Sequence, residues 1–161
     1  VTILVPDGAA MERLGRQLAS SVCQPGVIYF QGELGTGKTT LVRSLLRGCG
    51  YAGKVRSPTY TLVEPYPLGE LTVYHLDLYR LAAPDELEWL GIRDLLAEPS
   101  LLLVEWPERG GDQLPVPDLI LSLDYQDHGR RVTCRMLTAR GRKLAQGLPA
   151  GCLQSRPVTD S

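Results

Sequence analysis

The sequence predicts an α/β fold with helices on both faces of a mixed central sheet, and three observations carry that prediction. Apolar runs of strand length alternate with segments whose apolar residues recur at helical spacing. Between one such run and one such segment stands Gly32-Glu33-Leu34-Gly35-Thr36-Gly37-Lys38-Thr39, which spells G-x-x-x-x-G-K-[ST]. Two pairs of β-forming segments are joined by connections too short for a crossover, so antiparallel hairpins accompany the parallel strands. Together these specify a three-layer P-loop nucleotide triphosphatase fold whose sheet is parallel with antiparallel hairpins.

Each element follows from local chemistry. Val1 to Val5 reads as a short strand, and Asp7 as the N-cap of a helix carrying Ala10, Met11, Leu14, Leu18 and Val22 on one face. Pro25-Gly26 ends that helix, and Val27-Ile28-Tyr29-Phe30 reads as a buried strand running into the glycine-rich loop. Leu41, Val42, Leu45 and Leu46 place one apolar stripe on the next helix, which stops at Gly48-Cys49-Gly50. Tyr60 to Tyr66 and Leu71 to Leu76 form a hairpin across Pro67-Leu68-Gly69. Pro84-Asp85 opens a short helix with Leu87 and Leu90, and Gly91 separates it from Ile92 to Leu96. Leu101 to Val104 is uninterrupted apolar sequence, as a strand covered on both faces requires. A second hairpin joins Leu119–Leu123 to Arg131–Leu137 around Gln126-Asp127-His128-Gly129. A last helix is expected over Ala139 to Leu148, so 1–148 reads as one domain and 149–161 as a flexible tail.

Bulk properties narrow the function classes. The chain has 161 residues with 43% hydrophobic content, which suits one well-cored domain. A net charge of -1 advertises no stable nucleic-acid binding through bulk electrostatics. The four cysteines (Cys23, Cys49, Cys134, Cys152) show no C-x-x-C pair, and with two histidines they argue against a zinc site. Reduced thiols are the expectation. No apolar stretch approaches a membrane-spanning length, so a soluble cytoplasmic protein without a membrane partner is expected.

The loop carries the chemistry. Its glycines let backbone N–H groups from Glu33, Leu34, Gly35, Thr36, Gly37, Lys38, Thr39 and Thr40 approach a phosphate where side chains would block. Lys38 adds a charge for the β/γ-phosphates, and the Thr39 hydroxyl offers one position to Mg²⁺. The following helix aims its N-terminal amides at the same anion. Beyond the loop, Glu105 ends the Leu101–Val104 strand and suits a Mg²⁺ ligand or a group polarising the attacking water. Asp77 ends another strand, where it would hold a metal-bound water, orient the attacking water, cap a turn or pair with Arg80. His75 alternates with apolar residues and reads as a structural hydrogen-bonder. Ser57-Pro58-Thr59 occupies the position of a nucleotide-sensing switch, with Thr59 the contact, or is an ordinary proline turn. Trp106 and Tyr79 look exposed and suit a partner surface or a cover over the nucleotide; partial burial in the core is the alternative for Trp106.

With these segments in order, the chain resembles the TsaE (YjeE) family of bacterial P-loop ATPases. The resemblance rests on Gly32 to Thr40, on Ser57-Pro58-Thr59-Tyr60-Thr61-Leu62-Val63-Glu64, on Tyr74-His75-Leu76-Asp77-Leu78-Tyr79-Arg80-Leu81, on Asp85-Glu86-Leu87-Glu88 with Leu90-Gly91-Ile92, and on Leu103-Val104-Glu105-Trp106-Pro107. It implies the ATPase component of the machinery that makes N6-threonylcarbamoyladenosine at position 37 of tRNA. It implies ATP as substrate, ADP as product and Mg²⁺ as cofactor. TsaD and TsaB, the transferase heterodimer, are the implied partners, with tRNA engaged only indirectly. The matching positions imply Lys38 and the loop amides on phosphates, Thr39 and Glu105 on Mg²⁺, and Asp77 in the catalytic shell. Asp7 and Arg130 are candidates on the adenine side. Thr36 stands where the family's loop usually has a small residue, a mild departure.

Other functions are weighed against this one. A small-metabolite or nucleoside kinase would need a mobile basic lid, and no compact Arg-rich insertion is visible. A guanine-nucleotide switch would need N-K-x-D, and the chain contains no asparagine. A scaffold holding ADP merely as structure is separable only by activity.

Overall fold

A computed structural model describes residues 2–148; the predicted tail and Val1 lie outside the described residues. The elements in chain order are β1 (Thr2–Val5), α1 (Gly8–Val22), β2 (Gly26–Gln31), α2 (Lys38–Gly48), β3 (Val63–Leu68), β4 (Leu71–Asp77), α3 (Glu86–Trp89), α4 (Ile92–Leu95), β5 (Ser100–Glu105), β6 (Leu119–Gln126), β7 (Gly129–Met136) and α5 (Ala139–Leu144). Seven strands make one sheet in the order β1-β7-β6-β2-β5-β4-β3. At its centre β6, β2, β5 and β4 run parallel, while β7 and β3 are antiparallel to their hairpin partners. The predicted mixed sheet is what forms.

Burial explains the pattern. All six residues of β5 are buried, as its unbroken apolar run requires. Ile28, Phe30, Leu101 and Leu103 face one way, against Leu14, Leu18, Leu41 and Leu45 of α1 and α2. Val27, Leu102 and Val104 face the other way, against Leu78, Leu87 and Ile92. The second face is the thinner layer, since α3 and α4 span four residues each. Leu119, Leu121, Leu123 and Val132 join only the first core, and Arg131 and Arg135 on the opposite face of β7 are exposed.

Helices α1 and α2 pack closely. A Cβ on Gly15 would sit 2.0 Å from Ser44 Oγ, and one on Gly48 would sit 2.4 Å from Ala19 Cβ. Both helices start at the same end of the sheet, so their C-termini also meet. There Cys23 and Cys49 form a disulfide with a Cα–Cα separation of 5.8 Å, which corrects the expectation of reduced thiols for this pair. The two cysteines are 26 residues apart and only helix packing joins them. Cys134 is buried in the first core, and Cys152 lies outside the described residues.

Several boundaries move; in the second hairpin β6 runs on to Gln126 and β7 begins at Gly129. The first strand of the β3–β4 hairpin begins at Val63, not Tyr60, because a turn closed by the Leu62 amide on the Pro58 carbonyl (2.9 Å) precedes it, with Leu62 at φ 65°. The strand instead continues through Pro65 and Pro67 to Leu68, which an edge position permits because proline has no N–H to pair. The final helix stops at Leu144 and tightens into a 3₁₀ turn over Ala145–Gly147.

Candidate functional site

The glycine-rich loop connects the carboxyl end of β2 to the first turn of α2. Gly32 and Gly37 adopt φ values of 148° and 103°, which L side chains rarely adopt. Space forbids a side chain too: a Cβ on Gly32 would lie 2.5 Å from the Leu123 carbonyl oxygen. Thr36 closes the loop internally by donating its hydroxyl to the Glu33 carbonyl at 2.8 Å. The neighbouring hairpin holds the loop from outside. Tyr125 donates its hydroxyl to the Leu34 carbonyl at 2.5 Å, and the Arg130 guanidinium donates to the Gly35 carbonyl at 3.1 Å. Loop carbonyls are thus drawn outward, while the first N–H groups of α2 lack intrahelical acceptors. Amides without intrahelical acceptors at a helix N-terminus are the geometry an anion requires.

The adjoining strand ends supply charged groups. Register places Asp77 of β4 directly beside Glu105 of β5, and β5 lies beside β2. The Glu105 carboxylate is buried, accepts the Thr39 hydroxyl at 3.1 Å and 3.2 Å through its two oxygens, and pairs with His75 Nε2 at 2.5 Å. Lys38 is also buried; its ammonium donates to the Gly32 and Glu33 carbonyls and lies 4.1 Å from the centroid of the Trp106 ring. Burial pushes the Lys38 pKa below its usual value, while Glu105, Glu108 and Asp77 pull the other way. Burial likewise raises the Asp77 carboxyl, against the hydrogen bond it accepts from the Tyr79 amide at 3.1 Å. Lys38, Thr39, Asp77 and Glu105 line one cleft of ≈ 460 Å³, with Ser57, Thr59 and Tyr79 at its rim.

Thr39, Glu105 and Asp77 are all oxygen donors. Mg²⁺ keeps several waters and takes only one or two protein carboxylates plus substrate phosphates, so this set fits it. No cluster of three or more His, Cys, Asp or Glu suited to a metal occurs among the described residues.

A second cleft of ≈ 370 Å³ opens on the other side of the loop and shares Gly35, Gly37 and Thr40 with the first. Asp7, Gly8 and Met11 from α1 line it together with His128, Gly129 and Arg130 from the β6–β7 hairpin. Asp7 and Arg130 therefore do meet there. Asp7 also caps α1, accepting the Ala10 amide at 2.8 Å. Sequence reasoning missed Met11, His128 and Tyr125 as site residues. Met11 read only as core, and nothing local marks a hairpin residue as a neighbour of a loop over 90 positions away.

The remaining candidates divide. Ser57 and Thr59 bond each other at 2.6 Å in a turn beside the cleft. Trp106 is half-buried, not exposed: it stacks on Lys38 and, at 5.0 Å, on Tyr79. Its φ of 56° is unusual for a bulky residue and turns the ring back over the loop lysine. Tyr79 is partly exposed and carries the Arg109 guanidinium 5.6 Å from its ring centroid. Arg80 stacks on Tyr60 instead of pairing with Asp77.

Comparison with known proteins agrees with this geometry. The family profile described as threonylcarbamoyl adenosine biosynthesis protein TsaE matches residues 5–133. The chain is 42% identical over 149 residues to the tRNA threonylcarbamoyladenosine biosynthesis protein TsaE of Haemophilus influenzae, covering 89% of this chain and 94% of that one. It is 38% identical over 134 residues to the Bacillus subtilis protein of the same name, covering 82% and 84%. The crystal structure of Bacillus subtilis YdiB shares the fold, with a TM-score of 0.72 over 90% of each chain at 24% identity. A seven-stranded mixed sheet, a glycine-rich loop opening α2 and a match across most of its length place this chain in the TsaE family.

Proposed function

We propose that the chain is the ATPase component of the tRNA N6-threonylcarbamoyladenosine machinery, binding Mg²⁺·ATP and regulating or recycling a TsaD–TsaB transferase pair in the cytoplasm. One observation supports the nucleotide reading: Lys38, Thr39, Asp77 and Glu105, from three separate places in the sequence, line a single cleft beside the loop. The pathway assignment is supported by the names of the relatives.

In this reading the polyphosphate lies along the loop amides, and Lys38 exchanges its carbonyl contacts for phosphate oxygens, a stronger charge-assisted interaction. Thr39 and Glu105 would hold the Mg²⁺, which when bound neutralises charge developing on the phosphates. Asp77 orients water at the γ-phosphate side. The nucleoside occupies the cleft between Asp7, Met11 and Arg130, where Arg130 ties the hairpin to the loop. Movement of Lys38 away from Trp106 changes the surface formed by Trp106 and Tyr79, which is how the nucleotide state would reach a partner. tRNA is engaged only through that partner.

The test is Mg²⁺-dependent ATP hydrolysis by the purified chain, alone and with the TsaD–TsaB pair. Slow turnover that accelerates with the pair is expected. Rapid turnover indifferent to the pair, or efficient phosphate transfer to a nucleoside acceptor, would overturn the reading.

A further inference from the structure

Of the polar groups around the cleft, His75 has no part in the chemistry derived above, yet it is among the most enclosed. It sits on β4 opposite Leu103 and two residues before Asp77, on the sheet face that Glu105 shares. Its relative exposure is 1%, and Glu105 is at 2%. The contact between His75 Nε2 and Glu105 Oε2 is 2.5 Å, while His75 Nδ1 has no hydrogen-bond partner among the described residues. Facing a carboxylate acceptor, Nε2 is the nitrogen placed to donate.

That arrangement is poor packing chemistry. An unpartnered buried nitrogen destabilises the fold, and a leucine at the same place would avoid that. The imidazole gains one thing from its place, the hold on Glu105. Oε2 is shared between His75 and the Thr39 hydroxyl, whereas Oε1 meets Thr39 alone and is the oxygen left for a ligand in the cleft. A carboxylate restricted to one oxygen suits Mg²⁺, which demands near-octahedral geometry at short distance. It disfavours Ca²⁺, which prefers more oxygens and often takes both from one carboxylate.

We propose that His75 is a positioning residue that fixes Glu105 as a one-oxygen ligand, and so sets both the affinity of the site for Mg²⁺ and its preference over Ca²⁺. This rests on the Mg²⁺·nucleotide reading of the cleft and specifies how that reading is built. Neighbours that orient a metal ligand typically change metal affinity by about 10–100-fold when removed.

The experiment titrates Mn²⁺ into ADP-saturated protein by electron paramagnetic resonance, with Mg²⁺ and Ca²⁺ as competitors. His75→Leu is expected to weaken Mn²⁺ and Mg²⁺ by about 10-fold, to narrow the Mg²⁺/Ca²⁺ preference, and to leave metal-free ADP binding unchanged. His75→Gln, whose amide can reach the same carboxylate oxygen, is expected to restore wild-type metal binding. Equal loss of metal-free and metal-dependent binding in His75→Leu, or no rescue by glutamine, would reduce His75 to a packing residue. If the wild-type chain binds ADP but no Mn²⁺ joins it, the Mg²⁺ part of the nucleotide reading falls, and if it binds no ADP at all, the whole reading falls. Should His75→Leu not fold, nitrogen NMR of the wild-type ring decides. A proton on Nε2 whose resonance moves when Mg²⁺ joins ADP supports the role, and a proton on Nδ1 or an unmoved resonance ends it.

Discussion

The two clefts flanking the glycine-rich loop are built on different principles. The cleft proposed for the phosphates is made of side chains: Thr39, Glu105 and His75 interlock through hydrogen bonds, Lys38 bonds loop carbonyls and packs on Trp106, and Lys38, His75 and Glu105 are all buried. Its residues come from the ends of adjacent parallel strands and from the helix that one of them feeds. The cleft proposed for the nucleoside is an assembly of backbone and side chains from separate elements, where an α1 N-terminus meets an antiparallel hairpin. Arg130 and Tyr125 reach across to loop carbonyls but make no ion pair there. Charge placed by a rigid scaffold therefore determines the first cleft, and close approach of separate elements determines the second.

The largest expected effect tests the framework of the nucleoside side. Reducing the Cys23–Cys49 disulfide, which spans 26 residues, should lower unfolding free energy by roughly 3 kcal/mol in a denaturant titration. Because α1 lines only the nucleoside cleft, reduction should weaken ADP more than inorganic pyrophosphate. Equal weakening would break the distinction between the clefts.

Next comes Glu105→Ala, expected to cut Mg²⁺-dependent hydrolysis by about 100-fold while metal-free ADP affinity stays within about threefold. Intact hydrolysis in this variant would remove Glu105 from the metal site. Lys38→Ala should raise the dissociation constant for ATP by about 10–100-fold, since a charge-assisted phosphate contact is lost. Calorimetry that finds ATP binding unchanged would show that the lysine stays with its carbonyls and Trp106.

Smaller effects belong to the nucleoside side. Arg130→Ala should weaken ADP by about 3–10-fold and leave pyrophosphate unaffected, consistent with one lost contact and a looser hairpin. The smallest effect concerns pH. Burial raises the folded-state pKa of Asp77 above its ordinary 3.8, so the ionised carboxylate is a penalty to folding. That penalty is fully present above the folded pKa and gone below the unfolded one. Asp77→Asn should therefore melt at a higher temperature than the wild type at pH 7, and the difference should close as the pH falls to 3.8. A variant less stable at neutral pH would mean that the carboxylate is a structural cap on Tyr79.

Legibility follows the same divide. The loop, the strand-terminal Asp77 and Glu105, and both hairpins are readable because strand-end placement and turn chemistry are local properties of a few adjacent residues. The start of β3 is not legible, because Tyr60-Thr61-Leu62 has β-forming composition and the turn onto Pro58 overrides it. His75 was read as a hydrogen-bonder, but its acceptor lies 30 residues away and appears only when β4 and β5 align.

By itself, then, the amino-acid order determined the glycine-rich loop, the carboxylates at strand ends and the mixed character of the sheet. Each follows from backbone freedom, residue size or periodicity within a short window. Only the tertiary structure decided that Cys23 meets Cys49, that His75 holds Glu105, that Trp106 folds back onto Lys38, and that a hairpin tip lines the second cleft. Those contacts depend on how helices pack and strands register across long separations, and no local rule records the distance between residues so far apart in the chain.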